Sequence, residues 1–327
     1  YRTQQILDWL YVKGAREIAQ MSNLSKSLRS LLSERTRITS LLEVDRQESA
    51  TGEAVKFLFE LPTGQRVESV LIVDGDRRTV CLSSQVGCPL DCKFCATGRM
   101  GLIANLQAGQ IVDQLLQVSL YARERGERVT NVVMMGMGEP LLNYDQVVRA
   151  LKLMRLEEGL GLGGRKITVS TAGYVPGIRK LVAEDLNVGL AISLNATTDE
   201  IREKLMPINR KYKIADLLEA ARDFFDRRGY RVTFEYVLMA GLTDLDEDAL
   251  RLAKLTRDTP CKINLIPYNE LEEDGLYRRP SRRRLDQFYR LLRDSGTEFT
   301  VRESRGRDID AACGQLYHQQ EKVRTAL

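Results

Sequence analysis

Residues 79–95 read TVCLSSQVGCPLDCKFC, a short β-branched run that breaks into a loop with cysteines at 88, 92 and 95. The chain has six cysteines in 327 residues. At that frequency a C-x-x-x-C-x-x-C match would arise by chance only about 0.002 times. No apolar run of about 18 residues and no basic-then-apolar leader accompanies the motif, so neither a membrane partner nor secretion is expected and the expected compartment is the cytoplasm. Clustered thiols there serve metal binding or catalysis rather than a disulfide framework. A structural zinc ion wants four closed ligands, yet the one histidine, His318, lies at the far end of the chain and Cys81 lies on the preceding strand. Thiolates also hold iron-sulfur clusters, and three of them on a four-iron cubane leave one iron open to an outside ligand.

Outward from the loop, the hydrophobic period orders the chain. Ile6, Trp9, Leu10, Ile18, Met21, Leu24, Leu28 and Leu32 recur at spacings near three and four, which predicts a small helical unit. KFLFEL (56–61), a Pro62-Thr63-Gly64 turn, RVESVLIV (66–73) and RTVCLSS (78–84) alternate as antiparallel strands with tight turns. Helical patterns then fall near 107–125, 144–156, 176–184, 213–228, 246–257 and 281–294. Between them lie NVVMMGM, KITVS, NVGLAISL, RVTFEYVL and KINLIP, with a last strand near 298–302. Six βα units predict an α/β protein with a parallel sheet, rolled into a partial (βα)6 barrel or left open and doubly wound. The expected organisation is a helical accessory domain (1–45), a connecting β-hairpin (46–78), the barrel (79–305) and a C-terminal segment (306–327). Functional groups gather at the carboxyl ends of such strands. Those ends hold Cys88 to Cys95, Gly136 to Pro140, Ser170, Ser193 to Asn195 and Pro267 to Asn269.

Apolar residues at 43% and charged ones at 29% suit an ordinary globule rather than a disordered chain. A net charge of +4 permits a polyanionic partner without demanding one. RRPSRRR (278–284) and the amino-terminal Lys13, Arg16, Lys26, Arg29, Arg35 and Arg37 are candidate phosphate contacts. Without interleaved aromatics, their plainer meaning is a solvated helix start and a helical cap.

CPLDCKFC is similar to the cysteine signature of the radical S-adenosylmethionine superfamily, and Phe94 fits the aromatic found before its third cysteine. VESVLI (67–72), SSQVGCPLDCKFCATGRMG (83–101), GMGEPLLNYD (136–145), ITVSTAGYVPGI (167–178), LAISLNA (190–196), INLIPYN (263–269) and RGRDIDAACGQL (305–316) narrow the likeness. Together they resemble the bacterial dual-specificity RNA adenine methyltransferases. The resemblance implies a partial barrel with a 4Fe-4S cluster on Cys88, Cys92 and Cys95, whose open iron takes the amino and carboxylate groups of S-adenosylmethionine. It implies methylation of adenosine carbon 2 in 23S ribosomal RNA and in the tRNA anticodon loop, with two S-adenosylmethionine molecules per turnover and a reduced flavodoxin or similar electron donor. That carbon is electron-poor and cannot attack a sulfonium as a nucleophile, so a radical route is needed.

In this pattern Cys313 accepts the methyl group, Cys81 resolves the protein-RNA adduct by forming a disulfide with it, and Glu68 is the proton acceptor. Gly138, Glu139, Ser170, Ser193, Leu194, Asn195 and Asn269 match the S-adenosylmethionine contacts. Glycines at 136 and 138 are expected to let the backbone approach the methionine moiety. Many members carry histidine where this chain has Asn195, so a backbone contact survives there and an imidazole role does not. Cys261, outside any motif, reads as core. The rival readings are a carbon-8 methyltransferase with the same cysteines, a glycyl-radical activase, which gives AACGQL no purpose, and an iron-sulfur protein that only binds RNA or carries electrons.

Overall fold

A computed structural model describes residues 1–271 and 275–317, so His318 and the end of the expected C-terminal segment lie outside the described residues. Helix α1 (Arg2–Leu7) runs on through a π-helical turn, and α2 (Lys26–Arg35) starts at Ser25, whose Oγ accepts from the Leu28 N–H. Ala15, Met21 and Leu24 form their own small core with Trp9, Leu10 and Leu28 packed against it. Strands β1 (Leu42–Glu48), β2 (Ala54–Glu60), β3 (Arg66–Asp74) and β4 (Arg77–Cys81) follow as an antiparallel run.

Strand β1 crosses the boundary expected at residue 45, and the expected hairpin is hydrogen-bonded into the main sheet rather than standing apart. LEVDRQE carries no apolar alternation because β1 is an exposed edge strand, where charge on both faces deters pairing with another chain.

Next come β5 (Gln85–Cys88), α3 (Ala96–Arg99) and β6 (Gly101–Asn105), then α4 (Ala108–Glu124), β7 (Asn131–Met134), α5 (Tyr144–Arg155), β8 (Ile167–Thr171), α6 (Val175–Ala183) and β9 (Gly189–Ser193). The chain continues with α7 (Asp199–Leu205), α8 (Ile214–Arg228), β10 (Val232–Leu238), α9 (Asp246–Thr256), β11 (Cys261–Pro267), α10 (Arg282–Asp294) and β12 (Phe299–Val301). From β4 the sheet runs β4-β7-β8-β9-β10-β11-β12, all parallel and in chain order. A doubly wound sheet would reverse direction at a switch point. Here the order never reverses, so successive right-handed crossovers keep the helices on one face and the other face becomes an interior. This is the partial barrel, α/β with a small helical unit at its amino end.

Period-two alternation sets what faces each way. Val232, Phe234, Tyr236 and Leu238 of β10 are buried in the apolar core, as are Ile111 and Leu115 of α4, Leu217 and Phe224 of α8 and Phe288 of α10. Each such side chain contributes about 1.5–3 kcal/mol by leaving water. Thr233 and Glu235 alternate with them and line the interior.

After β12 the chain crosses back over the open side of the barrel. Arg305 pairs with Glu53 and with Asp74 (2.6 Å), and the Ala50 N–H donates to Asp308 (2.8 Å). At the other end of the barrel's wall, the buried Asp113 of α4 accepts from the backbone N–H of Ser40 (2.6 Å) and Leu41 (2.9 Å), which fixes the exit from the helical unit. Asp113→Ala leaves the buried Leu41 amide and the half-buried Ser40 amide without an acceptor and is expected to cost about 2–3 kcal/mol. Differential scanning calorimetry reads this as a lowered unfolding temperature; an unchanged one means that the clamp contributes nothing.

Candidate active site

The cysteine loop grows from the pinched base of the β5–β6 hairpin, where Cys88 pairs with Gly101. Gly87 has φ of 72°, and a Cβ there would sit 1.9 Å from the Gly101 carbonyl oxygen, so neither the turn nor the approach tolerates a side chain. The loop is fastened twice. Lys93 N–H donates to Leu205 O (2.9 Å), and the Ala96 N–H and Thr97 hydroxyl donate to Gly314 O (2.8 Å) and Leu316 O (2.6 Å) of the C-terminal segment. Cys88, Cys92 and Cys95 are free thiols that all line one cleft of about 990 Å³, open mouth included.

Burial pushes the Cys88 thiol up to about 12 and the Cys92 thiol well above its ordinary value, with the neighbouring cysteines adding to both. Thiolates gathered there require a cation to hold them. Among the described residues no three His, Cys, Asp or Glu side chains are arranged around a single metal ion.

Ser170, Ser193, Asn195, Gly138, Glu139 and Asn269 line the same cleft. Leu194 does not; its side chain is fully buried in the core. The glycines of GMGEP line the cleft and carry a second constraint of their own. A Cβ on Gly136 would lie 2.6 Å from Ser83 Oγ, and one on Gly138, at φ of 96°, would lie 2.5 Å from Gln85 Cβ. The protein itself fills the space, and Gln85 Oε1 accepts from the Glu139 N–H (2.8 Å). Glu139 is buried and accepts from the N–H groups of Leu141 (3.1 Å) and Ala172 (2.7 Å), but burial outweighs these and lifts its carboxyl to about 7.

Asn195 occupies the left-handed region at φ of 57°, which asparagine tolerates better than most residues. Its Oδ1 accepts from the Val237 N–H (3.0 Å), so its side chain is spent on the next strand. Asn269 donates to Cys313 O (3.1 Å) while its buried Oδ1 has no partner. An orphaned buried acceptor costs about 1–3 kcal/mol, and a ligand N–H in the cleft would satisfy it.

Cys313 lines both this cleft and a second cavity in the barrel interior, whereas Cys81 lines only the second. The two sulfurs are close enough for Cys313 to help raise the Cys81 thiol, though burial is the larger cause of its rise to about 12. Arg302, on the wall shared by the two cavities, faces Cys313, Glu235 and Cys81. Glu68 stands apart from both cavities on β3, buried against Lys56 (3.4 Å) and near Asp310. Desolvation lifts its carboxyl to about 7, Lys56 pulling the other way.

The basic segment 278–284 is largely spent on ion pairs, Arg279 with Glu303 (2.7 Å), Arg282 with Asp286 (3.2 Å) and Arg284 with Asp246. Lys13 and Arg16 pair with Asp8 and Glu124, while Lys26, Arg35 and Arg37 are exposed. Cys261 packs against the core as expected.

Sequence reasoning missed Arg202, the largest fully buried side chain. Its guanidinium donates to the carbonyls of Leu194 (3.0 Å), Ala172 (2.7 Å) and Ser193 (2.9 Å) and to Asn209 Oδ1 (3.0 Å). Helix α7, which carries it, was not expected either, although Thr198, whose Oγ1 caps Ile201, and Asp199 and Glu200 of the first turn are signals that could have found it. The side chain's role has no such signal.

A partial barrel with three unbridged thiols at one mouth defines a radical S-adenosylmethionine enzyme, and the model of the Radical SAM superfamily matches residues 82–253. Residues 1–38 match the ribosomal RNA large subunit methyltransferase N-terminal domain. The chain is 49% identical over 316 residues to the dual-specificity RNA methyltransferase RlmN of Geobacter sulfurreducens, covering 97% of this chain and 86% of that one. It is 44% identical to the probable RlmN of Desulforamulus reducens, covering 98% and 91%. A crystal structure of a radical SAM methyltransferase from Sphaerobacter thermophilus superposes with a TM-score of 0.94 at 46% identity, covering 96% of this chain and 92% of that one. The chain belongs to the RlmN family of dual-specificity RNA methyltransferases.

Arg202→Met keeps the bulk and removes every donor, leaving three strand-end carbonyls and Asn209 unanswered. It is expected to cost about 1–3 kcal/mol and to lower S-adenosylmethionine binding, read by calorimetry on protein of matched iron content. Wild-type affinity in that variant means that the strand ends do not depend on the clamp.

Proposed function

We propose that this radical S-adenosylmethionine methyltransferase acts on carbon 2 of adenosine in 23S ribosomal RNA and in the tRNA anticodon loop, using Cys313 as methyl carrier, Cys81 as resolving thiol and Glu68 as proton acceptor. The observation that carries this reading is the position of Cys313 on the wall between the cleft with the three cluster thiols and the cavity that holds Cys81. Cys88, Cys92 and Cys95 would hold the 4Fe-4S cluster, with one iron open. Two S-adenosylmethionine molecules per turnover, with electrons from a reduced flavodoxin or similar donor, would supply a methyl group and a 5′-deoxyadenosyl radical.

The surroundings of Cys313, Cys81 and Asn269 support their parts, and for Glu68 the support is its raised carboxyl. Cys313 is half-buried at the cleft, where a thiol can take a methyl group and present it to a base. Cys81 is buried on a strand and shielded from the cleft, so it meets the Cys313 sulfur from behind and stays a thiol until that sulfur is attacked. Attack of Cys81 on Cys313 Sγ forms the Cys81–Cys313 disulfide and breaks the carbon-sulfur bond, whose electron pair stays on the methylene carbon and takes up the proton that the Cys81 thiol gives up, leaving a methyl group on the base. Glu68, lifted to about 7, is poised to take a proton near neutral pH. Asn269 holds the Cys313 carbonyl and keeps one acceptor free.

Anaerobically reconstituted protein given reductant, S-adenosylmethionine and unmodified RNA is expected to place methyl on adenosine carbon 2, located by nucleoside mass spectrometry. Methyl on carbon 8 overturns the regiochemistry, and absence of 5′-deoxyadenosine overturns the class. Cys81→Ala is expected to accumulate a covalent protein-RNA adduct on denaturing gels; free turnover without adduct ends the resolving role. Glu68 must be ionised to accept a proton, so wild-type turnover is expected to fall as pH drops below about 7. Glu68→Gln is expected to remove that limb and about 10²–10⁴ of the rate. A retained acid limb in the variant assigns the titration elsewhere.

A further inference from the structure

Barrel interiors of this kind are usually packed with bulky branched side chains. Here the inward positions at the amino ends of the strands are Thr79, Thr168, Ala191, Thr233, Lys262 and Thr300, small or polar, and they surround a cavity of about 1850 Å³, open mouth included. The next inward positions, two residues on, include Cys81, Glu235, Asn264 and Arg302, with Cys313 above them. Arg77, Lys262 and Thr300, near the amino ends of β4, β11 and β12, line the cavity and are exposed, so it reaches solvent on the side away from the cluster loop. The lumen therefore runs from the amino-terminal mouth of the barrel to Cys81, which lines it and does not line the cleft.

We propose that this lumen is the route by which a small soluble thiol reaches Cys81 and reduces the Cys81–Cys313 disulfide after each turnover. The inference rests on the assignment of that cysteine pair made above. The reductant's thiolate attacks Cys81 Sγ, the sulfur-sulfur bond breaks, and its electron pair leaves on Cys313, which faces the Arg302 guanidinium. A second thiol then attacks the mixed disulfide and frees Cys81. The sum is one protein disulfide and two thiols converted to two protein thiols and one small-molecule disulfide. Entry from below leaves the cleft free to hold RNA and cofactor, so regeneration does not wait for their departure.

The test follows a single turnover of holoenzyme driven by reduced flavodoxin without added thiol, after which dithiothreitol is added and Cys81 and Cys313 are tracked by alkylation and peptide mass spectrometry. Thr168→Tyr and Thr233→Tyr place rings in the lumen at two strands that favour aromatics. Each is expected to leave 5′-deoxyadenosine formation and the single methylation unchanged while slowing disulfide reduction about tenfold or more. In wild type, saturating RNA and S-adenosylmethionine are expected to leave the reduction rate unchanged, a measurement that needs no variant. Reduction at wild-type speed in folded plugged variants, blockade by bound RNA, or reduction by thioredoxin but not by dithiothreitol overturns the route alone. A single turnover that yields no Cys81–Cys313 disulfide overturns the pair itself, and the route with it.

Discussion

The carboxyl ends of β8 and β9 are held by one buried cation. A guanidinium moved out of water loses several kcal/mol of solvation even after relaxation, and Arg202 recovers it from carbonyl dipoles and an amide. The planar fork of arginine suits this, because its donors leave in fixed directions toward several acceptors at once. Ala172, Ser193 and Leu194 can meet that fork only if the two strand ends converge, and convergence shapes the wall on which Ser170 and Ser193 face the cleft. Burial lowers Arg202 to about 10 while Cys92 pulls it back up, so the clamp and the cluster loop stabilise each other's charged forms.

Much of the fold was legible because period and spacing are local properties. Six of the eight described helices after the cysteine loop fall close to where the hydrophobic period places them, α4 at 108–124 against 107–125 and α8 at 214–228 against 213–228, while the short α3 and α7 were not expected. What the period cannot carry was lost. β1 has no buried face to alternate, and the β5–β6 hairpin is spent on the loop rather than on the core. The direction of the sheet was open as well, since alternation says that strands are parallel but not whether their order reverses.

The site divides in the same way. Cys88, Cys92, Cys95 and Cys313 announce themselves by residue type and spacing, whereas Glu235 and Arg302 are charges at inward positions whose meaning depends on what stands across the barrel. Counting every second residue along RVTFEYVL and the last strand would have flagged both. Leu194 turns its side chain into the core, whereas Gly136 and Gly138 line the cleft and also fit closely against Ser83 and Gln85.

The segment that carries Cys313 has no helix or strand around that thiol. Its position is borrowed, on one side through Arg305 from the β2–β3 edge and on the other through Gly314 and Leu316 from the loop of the three cluster thiols. Cys313 is thus hinged to the three-cysteine loop by two hydrogen bonds, and any displacement of that loop moves the thiol with it. Ordering the loop and placing Cys313 are one mechanical event.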